Sequence, residues 1–72
     1  LGTVWVRWSE LVGPQIAVHA RPLSLTSGTL VIAVDEPAWA TQLRLFGGQL
    51  VERVNTLVGG TVVQEVEVRV RR

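Results

Sequence analysis

Few side chains in this sequence could do chemistry, and their types and spacing limit what that chemistry is. His19 is the only histidine and cysteine is absent, so a tight metal site has no second imidazole or thiolate to build on. A strand histidine making local hydrogen bonds is the simpler reading. Ser9, Ser24 and Ser27 fall at cap, strand and turn positions, and nothing around them resembles the strained strand-to-helix turn that exposes a nucleophilic serine. The doublets Gly47-Gly48 and Gly59-Gly60 lack the spacing and the lysine of a phosphate-binding loop. The sequence therefore predicts no catalytic residue, no metal, no cofactor and no small-molecule substrate, in a protein that is not an enzyme.

What remains is binding chemistry, carried by arginine and tryptophan. Arginine supplies all the positive charge, seven residues against six acids and no lysine, for a net charge of +1. Its planar fork suits phosphate and carboxylate, although an all-arginine set is also what a genome's compositional bias produces. Ranked by expected exposure, Arg44, Arg53, Arg69, Arg71 and Arg72 are the candidate nucleic-acid contacts. With so small a net charge and a strand of mixed signs, binding of DNA by these residues is expected to be weak and without sequence preference. Trp8 reads as core. Trp5 and Trp39 fall in first helical turns, where a large ring is readily left half covered, and half-covered tryptophans serve as interface anchors. Trp39 is weighed as core or partner contact; Leu45 joins it and Trp5 as a candidate contact, projecting about 120° from the Trp39 direction onto a polar helix face.

The element that must position these residues runs from Asp35 to Gly60. Trp39, Leu43, Phe46, Leu50, Val54 and Leu57 recur at spacings of four and three, the period of one helix face. An acidic pair with Pro37 marks the start and Gly59-Gly60 the end. Gly47-Gly48 costs about 1 kcal/mol per glycine mid-helix, yet the stripe keeps phase across it, which predicts one helix, bent at most. Before it, Val4, Trp8 and Leu11, flanked by Trp5 and Val12, predict a helix from about Thr3 to Val12, with Thr3 as cap and Gly13-Pro14 as stop. Ile16 to Leu25 reads as an edge strand, Leu23 and Leu25 on one side and Ala20, Pro22 and Ser24 on the other, since Pro22 cannot donate to a neighbour. A glycine turn at 26–29 and the apolar run Leu30–Val34 complete a hairpin whose second strand suits a central position. From Glu65 the chain alternates strictly: Val66, Val68 and Val70 toward the core, Glu65, Glu67, Arg69 and Arg71 toward water.

The fold class that follows is α+β: two layers in the order helix-strand-strand-helix-strand, with both helices on one face of a three-stranded sheet. Residues 1–72 are expected to form one domain, near the size at which a core buries only about 60% of the unfolded chain's surface. No apolar run approaches the ~20 residues of a membrane span, and the expected setting is soluble and cytoplasmic. The opening Leu1 and the uncapped Arg69-Val70-Arg71-Arg72 suggest a piece of a longer protein.

The blocks Trp8-Ser9-Glu10-Leu11-Val12-Gly13-Pro14, His19-Ala20-Arg21-Pro22 and Ala38-Trp39-Ala40-Thr41-Gln42-Leu43-Arg44, followed by a helix ending in Val58-Gly59, come in an order and at gaps that resemble the N-terminal domain of DciA, the bacterial replicative-helicase loader family. The resemblance implies a K-homology-like fold, the replicative DNA helicase as partner and DNA as ligand, without enzymatic activity. The alternative reading is a general nucleic-acid-binding K-homology-like module acting through arginine–phosphate contacts. The sequence has no glycine-x-x-glycine loop between two helices, which weighs against sequence-reading contact.

Overall fold

A computed structural model of the chain describes residues 2–71. Its elements are α1 (Gly2–Val6), α2 (Trp8–Val12), α3 (Pro14–Ala17), β1 (Ala20–Thr26), β2 (Thr29–Val34), α4 (Pro37–Val58) and β3 (Glu65–Val70). The first helix comes in two pieces. It begins at Gly2, so Thr3 lies inside it and does not cap it, and it breaks at Arg7, where φ is −103° and ψ 20°. The break is slight, because the Arg7 amide still donates to the Thr3 carbonyl and the Leu11 amide to that of Arg7. Val4, Trp8, Leu11 and Val12 stay on one buried face. A run of β-branched and aromatic residues has little helical preference of its own, and packing holds it.

The strand expected from Ile16 starts later. Pro14 opens the single turn α3, with the Ala17 amide on the Gly13 carbonyl and the His19 amide on that of Ile16. The proline that stops one helix has the fixed φ that suits the first turn of the next. β1 then runs along the sheet edge, as Pro22 requires, but its facing differs from simple alternation. Pro22 pairs with Ile32 and Ser24 with Val31, so Leu23 is an extra residue in a bulge. Ala20, Pro22 and Leu25 therefore share the face of core residues Val34, Ile32 and Leu30, while Ser24 joins Arg21 on the other.

β1 and β2 form a hairpin through Ser27 and Gly28, both at positive φ (52° and 80°), the pairing a two-residue type I′ turn demands. Gly28 also holds β3 in place, its carbonyl accepting from the Gln64 and Glu65 amides. β2 lies at the centre of the order β1-β2-β3, antiparallel to β1 and parallel to β3. A parallel neighbour needs a crossover, and α4 supplies it as one continuous 22-residue helix through Gly47-Gly48, closed by Gly59 in the left-handed conformation.

Ala40, Leu43, Leu50 and Val54 of α4 meet Leu30, Ile32 and Val34 of β2 and the apolar face of α1 and α2 in one core. Trp39, Phe46, Leu57, Val66 and Val68 pack around it half-buried, and Val70, at the far end of β3, is 39% exposed. The helices occupy one side of the sheet, and Glu65, Glu67, Arg69 and Arg71 are exposed, as the alternation predicts. The α+β, helix-strand-strand-helix-strand layout is thus found, with α3 added, and it is consistent with a K-homology-like fold.

Candidate interaction surface

The side chains expected to bind do not gather at one place. Trp39 lies in the first turn of α4, half-buried, with one ring face stacked on His19 at 4.4 Å between centroids and 11° between planes. His19 Nδ1 is 2.9 Å from Asp35 Oδ2, and the Asp35 amide donates to the His19 carbonyl. With the carboxylate as acceptor, Nδ1–H is the donor of this hydrogen bond. The histidine is thus fixed by a backbone bond and a side-chain bond, and it in turn fixes the indole. His19 lies in a turn just ahead of β1 and not in a strand, and its side-chain partner Asp35 is 16 residues away in the chain.

Leu45 is 81% and Trp5 40% exposed. Leu45 stands alone on the outer side of α4 among polar neighbours, and single exposed apolar residues are ordinary on protein surfaces.

The arginines divide into engaged and free. The Arg53 guanidinium donates to the Leu11 carbonyl at 3.1 Å and lies 4.9 Å from the Phe46 ring centre. It clamps α2 to α4 while the residue stays exposed. Arg7, on the same groove, is paired with Glu10 through two hydrogen bonds of 2.9 and 3.0 Å. That pairing holds the Glu10 carboxyl below, and the Arg7 guanidinium above, their ordinary pKa ranges. The groove, about 720 Å³ between α2 and the second half of α4, therefore has its cations already occupied. Arg44 is exposed on α4. Arg72 lies outside the described residues.

Arg69 and Arg71 share the open sheet face with a residue the sequence reading did not single out, Arg21. Arg21 pairs with Ala33, and Ala33 with Arg69, so the two arginines flank a small residue about 10 Å apart, two strand spacings. Arg21 and Arg71 line one shallow depression of about 260 Å³ with His19, Ala33 and Asp35. The signal for Arg21 was available in its odd phase relative to Ala20 and Pro22, but an uncertain strand start obscured it. Arg69 also pairs with Glu67 at 2.6 Å. Glu65 and Glu67 occupy the opposite end of this face, Glu65 accepting from the Thr29 hydroxyl, so the face is acidic at the hairpin end and basic at the other. Among the described residues no group of three or more metal-ligating side chains converges and no helix is long and apolar enough to cross a membrane.

These features can be compared with known proteins. A family model described as Dna[CI] antecedent, DciA, matches residues 1–68. The chain is 43% identical over 67 residues to the UPF0232 protein of Mycobacterium ulcerans (strain Agy99), covering 93% of this chain and 36% of that relative. The UPF0232 protein of Mycobacterium tuberculosis (strain ATCC 25618 / H37Rv) gives the same figures; that of Rhodococcus jostii (strain RHA1) is 40% identical over the same length and share. The chain thus spans little more than a third of these bacterial relatives. With a family match along nearly its whole length and relatives at this identity, the chain belongs to the DciA family.

Proposed function

We propose that this chain is a non-enzymatic domain of a bacterial DNA replication factor that joins the replicative helicase and assists its loading onto DNA in the cytoplasm. Membership of a family described as Dna[CI] antecedent supports the replication role. The observation that carries the contact is Trp39: a large ring at a helix start, packed on one face by His19 and only half covered. A pre-positioned indole loses little freedom on binding, and such rings form interface hot spots worth about 2 kcal/mol or more. Arg44 and Leu45 follow on the same helix as secondary contacts, and Trp5 is the remaining apolar candidate. The test is a helicase pull-down with wild type and Trp39→Ala, each checked by circular dichroism. A folded variant that still joins helicase at undiminished affinity removes Trp39 as anchor.

A second reading, nucleic-acid binding through arginine–phosphate contacts, rests on the gathering of Arg21, Arg69 and Arg71 at one end of the open sheet face. Three phosphate contacts would give a salt dependence of slope near 3 for duplex DNA and less for single strands. Titration of DNA at two salt concentrations separates this from an aromatic-anchored protein contact, which is less salt-sensitive. Sub-micromolar binding at physiological salt would contradict the weak contact expected from a net charge of +1.

A further inference from the structure

The two edges of the sheet are built differently. β1 ends the sheet on one side with Pro22, which has no N–H to offer, and with a bulge at Leu23; both devices discourage a new strand from pairing there. β3 ends it on the other side and carries neither. Its six residues run without proline or irregularity in register with β2, and nothing among the described residues pairs with its outer edge. The Glu65 amide donates to Gly28 and the Arg71 amide to Val34, so the odd-numbered residues turn their backbone groups toward β2. By the alternation of a strand, Val66, Val68 and Val70 turn theirs outward. The open edge thus presents three N–H and three C=O groups in a row.

The side chains on that edge select what can pair with it. On the open face, β3 and the residue after it read Glu65, Glu67, Arg69, Arg71, two acids followed by two bases. A parallel second copy in register would set like charge against like. An antiparallel copy related by a two-fold axis can centre on a residue whose backbone groups point inward, and then Glu65, Glu67, Arg69 or Arg71 faces its own copy and like charge meets like. Otherwise it centres on one whose groups point outward: Val66, Val68 or Val70. Centring on Val66 opposes Glu65 to the partner's Glu67, and centring on Val70 opposes Arg69 to the partner's Arg71. Centring on Val68 opposes Glu65 to the partner's Arg71 and Glu67 to the partner's Arg69, and both pairs occur twice. In that register the valines form the hydrogen-bonded pairs and the charges fall at the non-hydrogen-bonded positions, where facing side chains are closest.

The helix layer fits the same arrangement. Asn55 Oδ1 accepts from the Val62 and Val63 amides, and its Nδ2 donates to the Val63 carbonyl, which places Asn55 on the flank of α4 toward the segment entering β3. Val51, Gly48 and Arg44 follow on that flank at spacings of four, three and four. A Cβ at Gly48 would meet nothing within 4 Å among the described residues. In a two-fold pair with both helix layers on one side of the sheet, this is the flank that approaches its counterpart, and Gly48 leaves room for it.

We propose that a second copy of this chain pairs antiparallel with β3 about Val68, joining two three-stranded sheets into one of six strands through complementary Glu65–Arg71 and Glu67–Arg69 contacts. Sedimentation equilibrium over a concentration series should show a reversible monomer–dimer equilibrium in the wild type. Glu67→Arg alone and Arg69→Glu alone should each be monomeric where wild type is dimeric, because each opposes like charges across the axis. The double variant Glu67→Arg/Arg69→Glu, with the order reversed but the complementarity kept, should dimerise again, and an equimolar mixture of the two single variants should form a heterodimer. Val68→Pro removes an outward N–H that the single chain does not use and should abolish the dimer, with circular dichroism reporting whether each variant is folded. A wild type that stays monomeric throughout, as it would if another part of the chain covered β3, overturns the proposal. So does a dimer unaffected by the single reversals, or failure of both the double variant and the mixture to restore it.

Discussion

Trp8 and Trp39 show how one residue type serves two ends in a small domain. Trp8 is 6% exposed, and its indole N–H donates to the Ala20 carbonyl at 2.9 Å, so the ring fills the core while its polar edge ties α2 to the first residue of β1. Trp39 is half covered, and what covers it is the imidazole of His19, itself held by Asp35 at the surface. A ring whose polar atom is satisfied inside belongs to the fold. A ring laid over a polar pair at the rim is positioned without being used up.

The largest expected effect tests the first half of that contrast. Trp8→Ala should lower stability by about 3–5 kcal/mol, the range for emptying a buried aromatic site, which is a large part of what a domain this small possesses. Trp8→Phe keeps most of the volume but leaves the Ala20 carbonyl without that donor, and should lose about 1–3 kcal/mol. Urea denaturation of both variants checks this. If Trp8→Phe is neutral, the hydrogen bond does not distinguish the two tryptophans and the contrast rests on burial alone.

Trp39→Ala should come next and should divide its effect differently. Because part of the ring is already in water, its cost to stability should be smaller than that of Trp8→Ala, about 1–2 kcal/mol when the buried-aromatic range is scaled to partial burial. On the proposed function, helicase association should fall by about 2 kcal/mol or more. His19→Ala should reproduce part of the binding loss with the tryptophan still present, since it removes the surface that orients the indole. Equal destabilisation by the Trp8 and Trp39 substitutions, measured in the same melts, would break the comparison.

The sequence allowed most of the layers to be read, and the misses have physical causes. The long helix was legible through its stripe from Trp39 to Leu57 because periodicity outlasts two glycines. The open face of β3 was legible because a strict two-residue period has one solution. The facing of Leu23 and Ser24 was not, since a bulge changes strand phase without altering composition. α3 was missed because Gly13-Pro14 ends one helix and begins another with the same residues. At the site, exposure was legible for Leu45 and for Arg69 and Arg71. The neighbours were not: the stacking of His19 on Trp39 joins residues 20 apart in the chain, and the clamp of Arg53 on Leu11 crosses from α4 to α2.

The glycines between Trp39 and the Asn55 anchor offer a smaller test of how rigidly α4 carries its indole. A Cβ at Gly47 or Gly48 meets nothing within 4 Å among the described residues, so Gly47→Ala and Gly48→Ala should each stabilise the fold by about 1 kcal/mol, read from thermal melts at low protein concentration. Unchanged helicase binding in a stabilised Gly47→Ala variant would show that the Trp39 end needs no compliance in the helix behind it. Lowered binding would mean that the anchor depends on motion as well as on its stack.

The smallest effect is expected from Arg7 and Glu10, which lie on the solvent side of the helix that buries Trp8. Their hydrogen bonds depress the Glu10 pKa in the folded chain. A carboxyl depressed on folding adds stability that is fully present above its unfolded pKa and is lost as pH falls through the lower folded value. Glu10→Gln should therefore differ slightly from wild type near neutral pH and converge with it in strong acid. Because both side chains are exposed, the contribution is that of a screened surface pair and should fade with added salt. Thermal melts of wild type and Glu10→Gln across the acid range, at two salt concentrations, check the direction. A gap between the two that widens as pH falls would mean that the pair is not the origin of the shift.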